Sequence, residues 1–256
     1  MGIREPGRVS SIESLLTPLL ERDASGRQWL GALLRAAPRG PARLGEELLE
    51  IPGSLSMSLS VRGISGRLGA FEYPLVAPRG LTSWMIEHPE ELDWPEGEEM
   101  SPETLRLRRA LLRDDPPGSR ARAQERAREL LRSRSVLSQE WWRFERPATL
   151  EGVLMTDRFV VSILGGSPDP LGPVTPWYPA RSRLIRVLEA AREIAEGRVW
   201  GALLLTEAPL ELGADVLSDE ALGHAARHLS AGEQRELRAA YLGNLTYDAA
   251  AEATAA

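Results

Sequence analysis

The stretch Leu150-Glu151-Gly152-Val153-Leu154-Met155-Thr156-Asp157-Arg158-Phe159-Val160-Val161-Ser162-Ile163-Leu164 decides the fold. Two short apolar runs flank a polar triplet. The triplet is a turn, so the runs fold back on each other as a β-hairpin. Its second arm, 159–164, is almost wholly apolar, the mark of a strand buried on both faces. Asp157 is expected to serve as the turn residue, its side chain bonding nearby backbone.

Downstream, a Pro- and Gly-rich loop spans 165–179. Pro179 opens a helix whose apolar positions are Leu184, Ile185, Val187, Leu188, Ala191 and Ile194, and Gly197 closes it. Residues 199–205 form another buried strand. Ser218 and Ser230 each cap a helix, and Ser230 with Glu233 has capping-box spacing. The Ala-rich tail after Gly243 is expected to fray.

Upstream, residues 54–61 alternate serine with Leu55, Met57, Leu59 and Val61, a half-buried strand pattern. Ser10 and Glu13 have capping-box spacing before Leu15, Leu16, Leu19 and Leu20. Further helices are expected over 28–37, 42–50 and 82–87. Ser101-Pro102 starts a helix that runs to Arg113, 114–118 breaks it, and Ser119 restarts one to Ser133. The implied class is α/β (α+β), a small mixed sheet flanked by helices. The expected division is a mostly helical N-terminal lobe over 1–135, an α/β core over 136–243 and a tail over 244–256.

Composition narrows the chemistry. Lys and Arg total 31, all of them arginine; there is no cysteine, and histidine occurs only at 88, 224 and 228. A Schiff-base or P-loop lysine, a thiol nucleophile, a disulfide and a Cys-based zinc site are therefore excluded. With three histidines and no G-x-S-x-G, a serine hydrolase has little support. The net charge of −6 argues against a generally basic nucleic-acid binder but permits a local basic patch. No apolar run approaches the ~20 residues that span a membrane. The first residues, Met1 to Pro6, carry no apolar signal core, so a cytoplasmic location is expected.

The hairpin and its flanks, from Glu140-Trp141-Trp142-Arg143-Phe144-Glu145 to Trp177-Tyr178-Pro179-Ala180-Arg181-Ser182-Arg183-Leu184, resemble an uncharacterised bacterial group with a restriction-endonuclease-like, PD-(D/E)XK core. The resemblance covers roughly residues 140–207, with weaker similarity around 79–95. In that pattern an acid opens a strand, Thr-Asp-Arg makes the turn, and the return strand ends in Glu-x-Lys. Two carboxylates then hold a divalent metal, and the lysine orients the attacking water. Carried onto this chain, the pattern places Glu151 on the first acid, Leu164 on the second and Gly166 on the lysine. Ser182 and Arg183 stand where Asn-Gln is expected. Leucine cannot ligate a metal and glycine cannot activate water. The resemblance thus implies a retained scaffold with a dismantled hydrolytic site: no catalytic residue is intact, Glu151 is a remnant acid, and no cofactor is required. The function implied is binding of a partner, nucleic acid or protein.

Two alternatives stand beside it. An active nuclease would need Mg²⁺ or Mn²⁺ on a relocated ligand set, for which Glu145, Asp157 and Glu207 are the weaker candidates. Asp157 lies too far along the strand to share a metal with Glu151. A structural or oligomerising module would use the charged segments for self-association; the oligomeric state is open.

Those segments adjoin. Residues 87–103 hold eight acids and no arginine, whereas 104–134 hold ten arginines against four acids. Arg106, Arg109, Arg113, Arg120 and Arg126, with Arg181 and Arg183, are the candidate nucleic-acid contacts, since guanidinium pairs well with phosphate. The bland reading is a solvated helix face laced with i,i+3 ion pairs. His224 and His228 are four apart, a spacing that can bind zinc, but the glutamate base of H-E-x-x-H is missing. Trp142 is expected to plug the core, and Trp177 could plug it or stack a base.

Overall fold

A computed structural model describes residues 11–50, 56–59, 74–75, 77–95, 99–133, 141–145, 148–165, 169, 171–210, 212 and 215–255. Five strands form the main sheet: β1 (Ser56–Leu59), β4 (Gly152–Met155), β5 (Phe159–Leu164), β6 (Val199–Thr206) and β7 (Tyr241–Thr246), in that spatial order. The β1, β4 and β5 neighbours are antiparallel, and β6 and β7 continue parallel to β5. Two short strands, β2 (Pro74–Leu75) and β3 (Ala148–Thr149), pair apart from it. The architecture is therefore mixed α/β, a small mixed sheet flanked by helices.

The hairpin forms as the sequence predicts, with Gly152 opposite Ile163 and Met155 opposite Val160. Its turn is held by Thr156, not by Asp157. The Thr156 hydroxyl accepts from the N–H groups of Arg158 and Phe159, while Asp157 is exposed. All six residues of β5 are buried because both sheet faces are covered. Val160 and Leu164 face one core and Val161 and Ile163 the other, the period-2 alternation of a pleated strand.

On the first face lies α8 (Arg183–Ala195), the crossover that makes β5 and β6 parallel, with α9 (Asp219–Ala225) and α10 (Ala231–Ala240) behind it. Its N-cap is Ser182, whose hydroxyl accepts from Ile185, so the helix starts after the Pro179 predicted. The opposite face is covered by α1 (Ile12–Arg22), α2 (Leu30–Ala36), α3 (Gly40–Leu44), α4 (Glu46–Glu50) and α11 (Tyr247–Ala255).

Leucines between residues 15 and 49 complete the second core of the sheet. The tail is not frayed: β7 and α11 bury Leu242, Leu245, Tyr247 and Ala250. The N-terminal cap also moves by one residue, to a Ser11–Ser14 capping box.

A third core gathers α5 (Arg79–Glu87), α6 (Pro102–Arg113) and α7 (Arg120–Ser133) around Trp141, Trp142, Phe144, Trp177 and Tyr178. Both Trp142 and Trp177 are core residues, and neither presents a stacking face. Arg108 lies over the Trp177 ring, 4.3 Å from its centroid. Among the described residues no helix is long and apolar enough to cross a membrane.

Candidate functional site

The resemblance requires Glu151 and Leu164 side by side on neighbouring strands. The ladder ends at the Gly152–Ile163 pair, and Glu151 stands one residue beyond it, at the mouth of the hairpin. The Glu151 carboxylate accepts a hydrogen bond from Gly165 N–H at 2.5 Å. Its other oxygen pairs with the Arg183 guanidinium, which reaches over from the first turn of α8. Each side chain keeps about a third of its surface exposed, 31% for Glu151 and 30% for Arg183. Leu164 is buried against α8 and offers no ligand. A carboxylate at a strand end is thus neutralised by a guanidinium of the same chain, where a second acid would be needed to hold a divalent cation. Gly166 lies outside the described residues.

Two residues before Arg183, the same loop builds a sealed charge network. Arg181 is fully buried and pairs with Glu145 and, at 2.5 Å, with Glu189. Arg186 adds a second guanidinium to Glu145 at 2.9 Å. His228 Nε2 lies 3.0 Å from Glu189. Burial disfavours charge on Arg181, but Glu189 and Glu145 outweigh it, so the guanidinium is held charged more firmly than usual. Burial would likewise raise Glu189; Arg181 and His228 overturn that and hold its carboxyl below the ordinary range. Arg186 is shifted down, burial being the main cause.

This network corrects several sequence expectations. Glu145 is no spare metal ligand, because two guanidiniums occupy it. Arg181 is no nucleic-acid contact, since it would have to abandon two carboxylates to reach solvent. His224 and His228 do not share a helix face. The helix α9 ends at Ala225, so His228 lies beyond it and turns inward while His224 stays exposed beside Arg227. Glu207 is exposed just after β6. Among the described residues no group of three or more His, Asp or Glu is placed to hold a metal.

The arginine-rich hairpin divides in two. Arg120 caps α6, donating to the carbonyls of Leu111 and Leu112. On α7, Arg126 pairs with Glu129, Arg128 with Glu87 and Glu125, and Arg132 with Glu125. Arg126–Glu129 and Arg128–Glu125 have the i,i+3 spacing of a helix surface, and Arg128–Glu87 joins α7 to α5. On α6, Arg106, Arg109 and Arg113 are all exposed. Their i, i+3, i+7 spacing sets them on one helix face, opposite the buried Arg108, Leu111 and Leu112. Arg113 lies over Trp94.

The chain matches no family model, no curated protein and no solved structure with which it was compared.

Sequence reasoning missed the Arg181 network. One sign of it was present, three arginines within the six residues 181–186, which lead into a largely apolar helix. Buried arginines require partners, but the predicted helix carries both Glu189 and Glu193, and nothing local selects the first of them or Glu145.

Proposed function

We propose that the protein is a catalytically degenerate, restriction-endonuclease-like scaffold that acts by binding, and that its partner is the phosphate backbone of a nucleic acid. One observation supports the loss of catalysis: Glu151, which the resemblance sets on the first acid, is occupied by Arg183 and the Gly165 N–H. Both partners favour a carboxylate but supply no Lewis acid and no activated water. The hairpin, crossover helix and parallel third strand agree with the αβ scaffold that the resemblance implies. What supports phosphate as the ligand is the α6 face, where Arg106, Arg109 and Arg113 stand exposed in a chain of net charge −6. Trp142 and Trp177 are buried and offer no stacking face, so the reading rests on charge, through contacts to phosphate that are indifferent to base sequence.

Labelled single- and double-stranded DNA and RNA, titrated across a salt series with EDTA, Mg²⁺ or Mn²⁺ and then run on a denaturing gel, test this. Expected is binding that weakens with salt and no cleavage in any metal. In Arg106→Ser/Arg109→Ser/Arg113→Ser the salt slope should be shallower by about 3, because each removed guanidinium no longer neutralises a phosphate. Metal-dependent cleavage abolished by Glu151→Ala would overturn the reading of the site. Absence of salt-dependent binding would overturn the partner and direct attention to a protein ligand.

A further inference from the structure

A cleft of about 400 Å³ opens beside the edge strand β7, where the segment between β6 and α9 meets the turn before α3. We propose that this cleft binds a small organic monocarboxylate, its carboxylate held by Arg39 and the Tyr241 hydroxyl and its apolar body lying on Leu212, Val216 and Leu217. Among the described residues none of α6 borders the cleft, so it is a second site, separate from the phosphate-binding face proposed above.

The polar end is built from two segments fixed to each other. The Arg39 N–H donates to the Leu242 carbonyl at 2.8 Å, which sets Arg39 against the start of β7. Tyr241 ends α10 and opens β7. Its ring belongs to the first core, and the residue is only 7% exposed. The hydroxyl is not sealed in with the ring, and among the described residues it has no hydrogen-bond partner. Burial pushes the Tyr241 hydroxyl up to about 12, with Arg39 close enough to oppose that shift. The hydroxyl therefore keeps its proton at neutral pH and stands ready to donate. Arg39 is exposed, and among the described residues its guanidinium forms no ion pair or hydrogen bond. Two donors, one of them cationic, thus share one end of the cleft and lack an acceptor.

The rest of the lining selects the ligand. Arg238 is already engaged: its Nε donates to the Leu217 carbonyl at 2.7 Å and its guanidinium pairs with Asp219. Arg39 is left as the unmatched charge of the lining. One guanidinium and one neutral O–H suit the two oxygens of a carboxylate. A dianion would carry a second charge past the Asp219 carboxylate with nothing to match it. Leu217 is buried, and Leu212 and Val216 are partly buried against the first core, which gives an apolar wall. An inorganic anion would leave that wall unused, whereas an apolar body covers it.

Hexanoate, hexanol, acetate and inorganic phosphate, each titrated into the intact protein at neutral pH and followed by ¹⁵N–¹H NMR, test the assignment. Expected is saturable binding of hexanoate that is about tenfold or more tighter than that of the other three. In Arg39→Gln the affinity for hexanoate should fall about tenfold, and in Tyr241→Phe about fivefold. Arg39 is exposed and Tyr241→Phe keeps the buried ring, so both variants should fold. The proposal is overturned if hexanoate shows no saturable binding, or if hexanol, acetate or phosphate binds as tightly. Unchanged affinity in either variant also overturns it, because the carboxylate then sits elsewhere. Should Tyr241→Phe fail to fold, Arg39→Gln and the four probes on the wild type decide.

Discussion

Arg181 and Arg183 stand two residues apart and each pairs with a glutamate, yet they belong to different kinds of site. Arg181 is sealed between two carboxylates, with no exposed side-chain surface. Arg183 closes over Glu151 at the open end of the hairpin, about a third exposed. The first pair set joins three packed layers and is structural. The second fills a place where chemistry is possible. What separates them is solvent. A buried ion pair broken on one side leaves an uncompensated charge, whereas an exposed one is screened and replaceable.

The sharpest way to break the comparison is Arg181→Ala. It leaves Glu145 with Arg186 alone and Glu189 with His228 alone in the core and should cost about 3–5 kcal/mol in a denaturant melt. A loss under about 1 kcal/mol would mean that the network is not what joins the layers. Next, Leu164→Glu with Arg183→Gln restores a second acid beside Glu151 and removes the competing cation. The variant should be less stable than the wild type without metal, because a core leucine is lost. Millimolar Mn²⁺ should raise its Tm by several degrees while leaving the wild type unmoved, a shift of the size expected from ~1–3 kcal/mol of ligand stabilisation.

Glu151→Ala alone should change stability by less than about 1 kcal/mol, as for a largely solvated pair; a loss like that of Arg181→Ala would erase the distinction. The smallest effect belongs to Glu233, whose carboxyl is pulled down to about 2 by Arg192 and the Ser230 cap. A depressed carboxyl contributes stability that is full above the unfolded value near 4.3 and lost as pH falls toward 2. Because the group is exposed, that contribution is a few tenths of a kcal/mol. It should appear as a slightly steeper acid loss of Tm in the wild type than in Glu233→Gln.

The sequence made local structure legible and tertiary pairing much less so. The hairpin, the buried β5 and the serine caps at 101, 218 and 230 are written in short-range patterns, and they stand where the patterns put them. The edge strand β7 was not legible. It follows α10 without a break, and Gly243 and Asn244 look like a helix stop. The Ala-rich segment after it carries no strong pattern, and only packing against α1 and α2 settles it as a helix. In the site, the pairing of Gly152 with Ile163 followed from hairpin register, which the turn fixes, and it brings Glu151 to the Gly165 N–H. That Arg183 would close on Glu151 while Arg181 turned inward did not follow. Arg181 precedes α8 and Arg183 is its first residue, and only the positions of Glu145, Glu151 and Glu189 in three dimensions distinguish them.

The central claim is that Glu151 is satisfied by the protein's own guanidinium and backbone and holds no metal. Calorimetric titration of the wild-type protein with Mn²⁺ and Mg²⁺, beside Glu151→Ala, tests it most directly. No site-specific heat is expected in either protein. Micromolar binding in the wild type that vanishes in Glu151→Ala would contradict it and restore a metal-dependent enzyme.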